Sequence, residues 1–185
     1  LREKLPQSER EYLNNIKNSG DALLSIINDI LDFSKIESGK LEILEDVYEP
    51  MSLFHDLTVL FLNRIGSKPV ELLYDIDTEM PTKLYGDRQR LRQVIINLMN
   101  NAIKFTESGF VRLKVRVEPT EEGFVCLRFE IQDSGQGIKE EDIGKLFASF
   151  QQVDTKKNRN KEGTGLGLAI SKQLVELMHG NIGVQ

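Results

Sequence analysis

Apolar positions recur along the chain at helical or strand spacing, and they predict an ordered set of elements. Residues 8–38 carry one narrow apolar seam, formed by Leu13, Ile16, Leu23, Ile27 and Ile30. This spacing predicts a single long helix. Its length favours pairing with a partner helix. The alternative is an ordinary amphipathic helix that lies on the following domain.

The next segments alternate between strand and helix patterns. Residues 41–50 predict a strand closed by a proline, residues 51–65 a helix, and residues 69–76 a short strand. Residues 86–105 predict a strong helix capped by Asp87. Its predicted buried stripe consists of Leu91, Val94, Ile95, Leu98 and Ala102.

Strict alternation begins at residue 110 and predicts a half-buried strand over residues 110–117. One face of that strand carries Val111, Leu113, Val115 and Val117. Turn residues then lead into an antiparallel partner strand over residues 124–133. The remaining predictions are a short helix at 139–150, a long loop at 151–163, a helix from Gly165 to Met178 and a final strand at 181–185.

These elements predict an α+β chain. Its architecture is an α/β sandwich, in which three helices cover one face of a mixed sheet, preceded by the long helix. The sheet is predicted to be mixed because it contains a hairpin. The chain opens without methionine and ends on NIGVQ, the pattern of a strand cut short, so we expect a piece of a longer protein.

Composition excludes several classes of protein. Hydrophobic residues make up 39% and charged residues 29% of the 185 residues, which is typical of a globular protein. The net charge of -5 does not favour nucleic acid as a partner. No apolar run approaches the roughly 18 to 20 residues of a membrane span, and no signal peptide is recognisable. The single cysteine, Cys126, excludes an internal disulfide, which fits a reducing compartment.

Three polar residues of the helix at 86–105 could bind a phosphorylated ligand. Asn97 and Asn101 stand four residues apart on one helix face, and Lys104 follows three residues later. An amide oxygen can ligate Mg²⁺, and lysine supplies a point charge for phosphate. The alternative is an ordinary solvated helix face.

A second candidate lies where the strand at 124–133 ends. Asp133 is followed by Gly135 and Gly137 in the stretch IQDSGQGI. The carboxylate could accept a hydrogen bond from an exocyclic amine, and the glycines would let a flat ring approach the backbone. The alternative is a plain turn built from turn residues.

A glycine run, EGTGLGLAISK, opens the last predicted helix. A helix N-terminus presents unpaired N–H groups that can bind phosphate oxygens, so the glycines could allow a phosphate to approach. The alternative is that they form a tight turn that packs a loop against the sheet. The preceding loop is basic and carries Lys156, Lys157, Arg159 and Lys161. A charged loop of this kind is usually solvated, and its position just before the glycines is what favours a phosphate role.

Taken in order, these motifs resemble the catalytic, ATP-binding portion of sensor histidine kinases, within the superfamily that includes gyrase B, Hsp90 and MutL. NLMNNAIKFT (97–106) resembles the N box and DSGQG (133–137) the first glycine box. LFASF (146–150) resembles the F box and GTGLGL (163–168) the second glycine box. Residues 11–43 resemble the second helix of the dimerisation hairpin of hybrid sensor kinases. The resemblance covers nearly the whole chain.

The resemblance implies a Bergerat-type ATP-binding fold with ATP and Mg²⁺ as ligands. It implies that Asn101 ligates Mg²⁺, that Lys104 meets phosphate and that Phe105 lies against adenine. It places Asn97 where related ATPases carry a water-activating glutamate. Since asparagine cannot act as that base, transfer to a histidine is favoured over hydrolysis.

The resemblance also implies the remaining contacts. Asp133, flanked by Gly135 and Gly137, would bind the adenine amino group. The hinge and phosphate end of the lid would be formed by Gly163, Thr164, Gly165, Leu166 and Gly167. Phe147 and Phe150 would pack to position that lid, although plain core packing is an equal alternative.

The resemblance also implies a division of the chain and its partners. Residues 1–40 would end a dimerisation hairpin whose first helix is mostly absent, and residues 41–185 would form a catalytic domain with truncated C-terminal strands. No stretch like His-Glu-Leu-Arg-Thr-Pro is present, so neither His55 nor His179 is the expected phosphoacceptor. The implied partners are ATP, the histidine-bearing dimerisation helix, a response regulator receiver domain and, in the parent, a second copy. The expected location is cytoplasmic, with the parent anchored in the inner membrane.

Three functions compete at this stage. The first is an ATP-dependent protein-histidine kinase. The second is a nucleotide-binding module without kinase activity, which the complete N and glycine boxes oppose. The third is a hydrolysing ATPase of the wider superfamily, which Asn97 and the upstream helix oppose.

Overall fold

A computed structural model describes residues 6–120, 123–148 and 165–184 of the chain. Its helices are α1 (Gln7–Glu37), α2 (Pro50–Ile65), α3 (Arg88–Phe105), α4 (Glu140–Ile143) and α5 (Gly167–Leu177). Its strands are β1 (Asp46–Tyr48), β2 (Val70–Ile76), β3 (Leu84–Gly86), β4 (Gly109–Pro119) and β5 (Val125–Asp133). None of the helices in these ranges is long and apolar enough to cross a membrane.

The main sheet is mixed, as predicted. Its strand order is β2-β4-β5, with β2 parallel and β5 antiparallel to β4. The predicted alternation along β4 is confirmed, because Val111, Leu113 and Val115 are fully buried. Between them, Lys114 pairs with Glu130 of β5 on the opposite face. The sheet therefore has one apolar face for helices and one charged face.

A helical layer covers the apolar face, so the predicted fold class is confirmed. α2 and α3 pack against the sheet, and α5 packs on α3. The main core lies between this layer and the sheet and includes Leu53, Leu57, Phe61, Ile95 and Met99. A second, smaller core joins α5 to α3 and to the end of α1; its buried members are Val94, Leu166, Ile170 and Leu174.

The cap and the ends of α3 follow the sequence closely. Arg90 N donates to Asp87 Oδ1 at 2.9 Å, so the predicted cap is confirmed. The buried Asp87 also accepts from Leu44 N at 2.9 Å, which ties the preceding segment to the start of α3. The helix that carries the candidate polar residues therefore begins at a fixed point.

Several predicted elements differ from the structure. The strand predicted over residues 41–50 is confined to Asp46–Tyr48, which pairs with an unpredicted β3. The helix predicted at 139–150 ends at Ile143, before Gly144, and its last two residues lie outside the described ranges. The final helix begins at Gly167 rather than Gly165. Residues 181–184 form no strand, because no described segment pairs with them.

The predicted seam of α1 is exposed. Along it, Leu13, Ile16, Leu23, Ile27 and Ile30 keep between 43% and 69% of their surface accessible. Among the described side chains, those that pack on the following domain lie near the end of the helix, where Phe33 and Ile36 join the second core. There the Asp32 carboxylate accepts from Gln93 Nε2 at 2.8 Å and lies 3.6 Å from Arg90 Nη1. The exposed seam is what a helix awaiting a partner would show.

Candidate active site

A broad open cleft of about 3180 Å³ runs along the molecule, and its lining includes residues from three distant parts of the sequence. It is lined by Asn97, Asn101 and Lys104 of α3, by Asp133 at the end of β5, and by Gly167 at the start of α5. Two close contacts bring these parts together: Gly167 lies against Asn97, and Gly135 lies against the Phe105 carbonyl. These parts meet because both β5 and α5 pack against α3. The carboxamide face, the strand-end acid and the glycine run predicted from sequence therefore lie around one cleft.

The two carboxamides of α3 have different surroundings. Asn97 Nδ2 donates to Ser171 Oγ of α5 at 2.7 Å. No group in the described part of the chain bonds the carboxamide of Asn101, which is half-buried and lines the cleft. Asn101 therefore has an oxygen available for a ligand, whereas the amino group of Asn97 is already engaged.

Lys104 and Phe105 form a contact in the last turn of α3. The Lys104 ammonium lies 5.0 Å from the centroid of the Phe105 ring, within the range of a cation–π attraction. Both residues line the cleft. A positive charge and an aromatic face therefore stand side by side at the end of α3.

The turn after β5 is built around Asp133. Gly135 N donates to Asp133 Oδ1 at 2.9 Å, which leaves the other carboxylate oxygen without a described partner. A Cβ atom on Gly135 would lie 2.7 Å from both Asp133 Oδ1 and the Phe105 carbonyl oxygen, so only glycine fits. Gly137 has a φ of 70°, a left-handed conformation that favours glycine. The turn interpretation agrees with this geometry, and the approach of a flat ring to these glycines stays a prediction.

The second half of the glycine run, from Gly165 onward, lies within the described residues. Gly165 has a φ of 70° and lines the cleft. Leu166 is only 2% exposed, because its side chain packs in the second core, so a ligand could reach only its backbone. Outside the described ranges lie Gly163, Thr164, Phe150 and the basic residues Lys156, Lys157, Arg159 and Lys161.

Ser171 is a residue that the sequence interpretation missed. It is 2% exposed, and its hydroxyl contacts Asn97 across 74 positions of sequence. The only signal in the sequence is its spacing of four residues from Gly167, which places both on one face of α5. Phe147, predicted to pack near the lid, is half-buried and also lines the cleft.

The two histidines lie in different places. His55 is exposed on α2, as predicted, and does not line the cleft. His179 follows α5 with a φ of 62°, is exposed, and lies at the edge of the cleft.

Two family models match the chain. Residues 86–185 match the family described as histidine kinase-, DNA gyrase B- and HSP90-like ATPase. Residues 1–39 match the family described as the His Kinase A (phospho-acceptor) domain.

Curated relatives match over almost the whole chain. Hybrid signal transduction histidine kinase B of Dictyostelium discoideum is 40% identical over 184 residues, which is 100% of this chain and 9% of the relative. Signal transduction histidine-protein kinase BarA of Escherichia coli (strain K12) is 42% identical over 183 residues, which is 98% of this chain and 20% of the relative. The chain thus spans a fifth or less of the length of these relatives.

Solved structures also match. Full-length ShkA in complex with AMPPNP aligns with a TM-score of 0.77 and 32% identity, over 98% of this chain and 36% of that one. Histidine kinase ThkA in complex with the response regulator protein TrrA aligns with a TM-score of 0.61 and 27% identity, over 96% of this chain and 47% of that one.

Proposed function

Because this chain belongs to the family of histidine kinase-, DNA gyrase B- and HSP90-like ATPases, we propose that it is the ATP-binding catalytic portion of a two-component sensor histidine kinase. It transfers the γ-phosphoryl group of ATP to a histidine of its parent, and a response regulator aspartate then receives the group. One observation carries this proposal: the polar face of α3, Asp133 and the N-terminus of α5 line a single cleft.

The adenine end of the nucleotide belongs near the end of β5. One oxygen of Asp133 has no partner within the described ranges and can accept a hydrogen bond from the adenine amino group, while the other stays on Gly135 N. The Phe105 ring lines the same space and offers an aromatic face. Gly137, which also lines the cleft, leaves its backbone open to the ring. Together these groups would bind a purine that carries an amino group.

The phosphate end belongs along α3 and the start of α5. Asn101 provides a neutral oxygen that has no partner among the described residues. Mg²⁺ accepts such a ligand when phosphates and waters complete its shell. A bound Mg²⁺ would neutralise phosphate charge. Lys104 would move from the Phe105 ring to the phosphates as a point charge. Gly165 and Gly167 would flank the phosphates, and Gly163 and Thr164, outside the described ranges, are proposed to continue that contact.

Asn97 favours transfer over hydrolysis. Its carboxamide can orient a neighbouring group by hydrogen bonding, but it cannot take a proton from water. A nucleophile that brings its own basicity, such as a histidine ring, needs no such base.

The acceptor would reach the cleft along α1. Ile26 and Asp29 of α1 line the same cleft as the α3 carboxamides, which supports an approach of the acceptor from the side of α1. The exposed seam of α1 supports pairing with that helix and with a second copy in the parent. Residues 1–40 are proposed as the dimerisation part and residues 41–185 as the catalytic part.

Calorimetry with AMPPNP, with and without Mg²⁺, tests the proposal. We expect binding that Mg²⁺ strengthens, and Asn101→Ala should remove the Mg²⁺-dependent part. Asn63→Ala, which changes an exposed asparagine of α2, is the matched control and should bind like the wild type. A second assay supplies a histidine-bearing dimerisation hairpin and labelled ATP, and we expect label on its histidine. Steady phosphate release without any histidine partner would contradict kinase function, and no AMPPNP binding at millimolar concentration would contradict the proposed site.

A further inference from the structure

Asn97 lies in a small socket formed by two residues of α5. Its Nδ2 atom donates to Ser171 Oγ at 2.7 Å. A Cβ atom on Gly167 would overlap Asn97 Oδ1 and lie 3.0 Å from its Cγ and Nδ2 atoms, so the carboxamide fills the space that a side chain at position 167 would need. Gly167 and Ser171 are four residues apart and therefore share one face of α5.

The socket holds both ends of the carboxamide against α5. The carboxamide is planar, so a hydrogen bond from its nitrogen to Ser171 sets the direction of its oxygen as well. The amino group is engaged by a hydroxyl that is 2% exposed, which leaves the oxygen as the acceptor on the side of Gly167. If Ser171 were lost, the carboxamide could turn over and present a donor in place of an acceptor.

We propose that Ser171 is a positioning residue for phosphoryl transfer. It acts through Asn97, by holding that carboxamide in place against the start of α5, and does not touch ATP itself. This inference rests on the proposed function, because it gives Asn97 its role in that reaction. It adds a residue that lies outside the polar motif of α3 and outside the glycine run.

The first test is a spectroscopic one on the whole chain and does not depend on activity. The side-chain amide signal of Asn97, identified by its loss in Asn97→Ala, is followed by nitrogen-15 NMR. In Ser171→Ala we expect the signal to shift and its hydrogens to exchange roughly two- to tenfold faster, the equivalent of one net hydrogen bond. Ser171→Thr keeps the hydroxyl and should restore the wild-type signal. An Asn97 signal that is unchanged in Ser171→Ala would overturn the inference.

The second test separates positioning from packing. In single-turnover transfer to a supplied hairpin, Ser171→Ala should slow transfer about tenfold, while the Kd for AMPPNP changes less than about twofold. The same change in an Asn97→Ala background should have no further effect, because the two residues act as one unit. Ile170→Val trims the buried face of the same helix without touching Asn97 and should leave the transfer rate as it was.

The outcomes distinguish this inference from the proposed function. Additive effects of the two alanine variants, or a Ser171→Thr variant no better than Ser171→Ala, would overturn the positioning role while transfer by the wild type still stands. A wild-type chain that neither binds AMPPNP nor transfers phosphate would contradict the proposed function and, with it, any role in transfer. The NMR signal would then show separately whether Ser171 orients the Asn97 carboxamide.

Discussion

Replacing Asp133 by asparagine reverses the polarity of one atom at the adenine end of the cleft. The new side chain keeps one oxygen, which can still accept from Gly135 N, so the turn after β5 is retained. The second carboxylate oxygen becomes an amino group. The carboxylate oxygen could accept a hydrogen bond from the adenine amino group. In Asp133→Asn the new side-chain amino group would face the adenine amino group, and two donors cannot form a hydrogen bond.

The size of the effect follows from the bond that is lost. A hydrogen bond to a charged group contributes about 1.5 to 3 kcal/mol, and about 1.4 kcal/mol corresponds to a tenfold change in Kd. We therefore expect AMPPNP to bind about 10- to 140-fold more weakly. Because Asp133 is exposed, the free energy of unfolding should change by less than about 0.5 kcal/mol.

Calorimetry and urea unfolding on the same samples measure both quantities. Inosine triphosphate is the informative second ligand, because it carries a carbonyl group where ATP carries the amino group. Asp133→Asn should therefore lose ATP affinity and gain affinity for inosine triphosphate relative to the wild type. Asp46→Asn is the matched control, since Asp46 is also exposed, accepts a backbone N–H at 2.7 Å and lies outside the cleft.

Three results would refute this reasoning. One is an AMPPNP affinity for Asp133→Asn within twofold of the wild type. A second is binding of ATP and of inosine triphosphate that is weakened by the same factor. That result would show that Asp133 maintains the shape of the turn and does not recognise the base. A large loss of stability in Asp133→Asn would likewise show that the residue is structural.

Further predictions concern stability, each checked by urea unfolding. Asp87→Ala removes an acceptor of two backbone N–H groups and should cost about 2 to 4 kcal/mol, whereas Asp87→Asn should cost less than half of that. The pKa of Asp77 is held below its usual 3.8, first by the backbone N–H of Glu79, so its stabilisation is present above pH 3.8 and disappears as the pH falls through the lowered value. Asp77→Asn should therefore weaken the loss of stability in acid. Leu57→Ala should cost about 2 to 5 kcal/mol because Leu57 is fully buried, while Val59→Ala on the exposed face of α2 should cost little.

The sequence predicts helices, strands and caps well where a single local interaction or a single buried face determines them. Asp87 caps α3 because its side chain accepts from the backbone N–H of Arg90, three residues later. The sequence shows this as an aspartate directly before a helical apolar pattern. The alternation along β4 is visible because one face meets the core and the other does not. α3 is harder to predict because it is packed on two sides. Met99 and Ile103, outside the predicted stripe, are buried against the sheet and α2, while Val94 faces α5.

Pairings between distant segments could not be predicted in the same way. β3 has three residues, too few for a periodic pattern, and exists because β1 pairs with it. Motif order placed the candidate residues in one cleft, and that part of the reasoning agrees with the geometry. The contact between Asn97 and Ser171 depends on the angle at which α5 crosses α3, and no local pattern encodes that angle. The roles of the site residues toward ATP stay predictions.

α1 is long compared with the small area over which it packs on the domain, so a small tilt at its packed end moves its other end by a large distance. Its 31 residues extend about 46 Å at about 1.5 Å per residue. In the part of the chain that the structure describes, its packing on the domain is near its last turns. A tilt of about 5° at the packed end would displace the far end by about 4 Å over this length. Phe33 and Ile36 of the packed end lie on the same small core as α5, and α5 begins against Asn97. A change in the tilt of α1 would therefore reach Asn97 through α5.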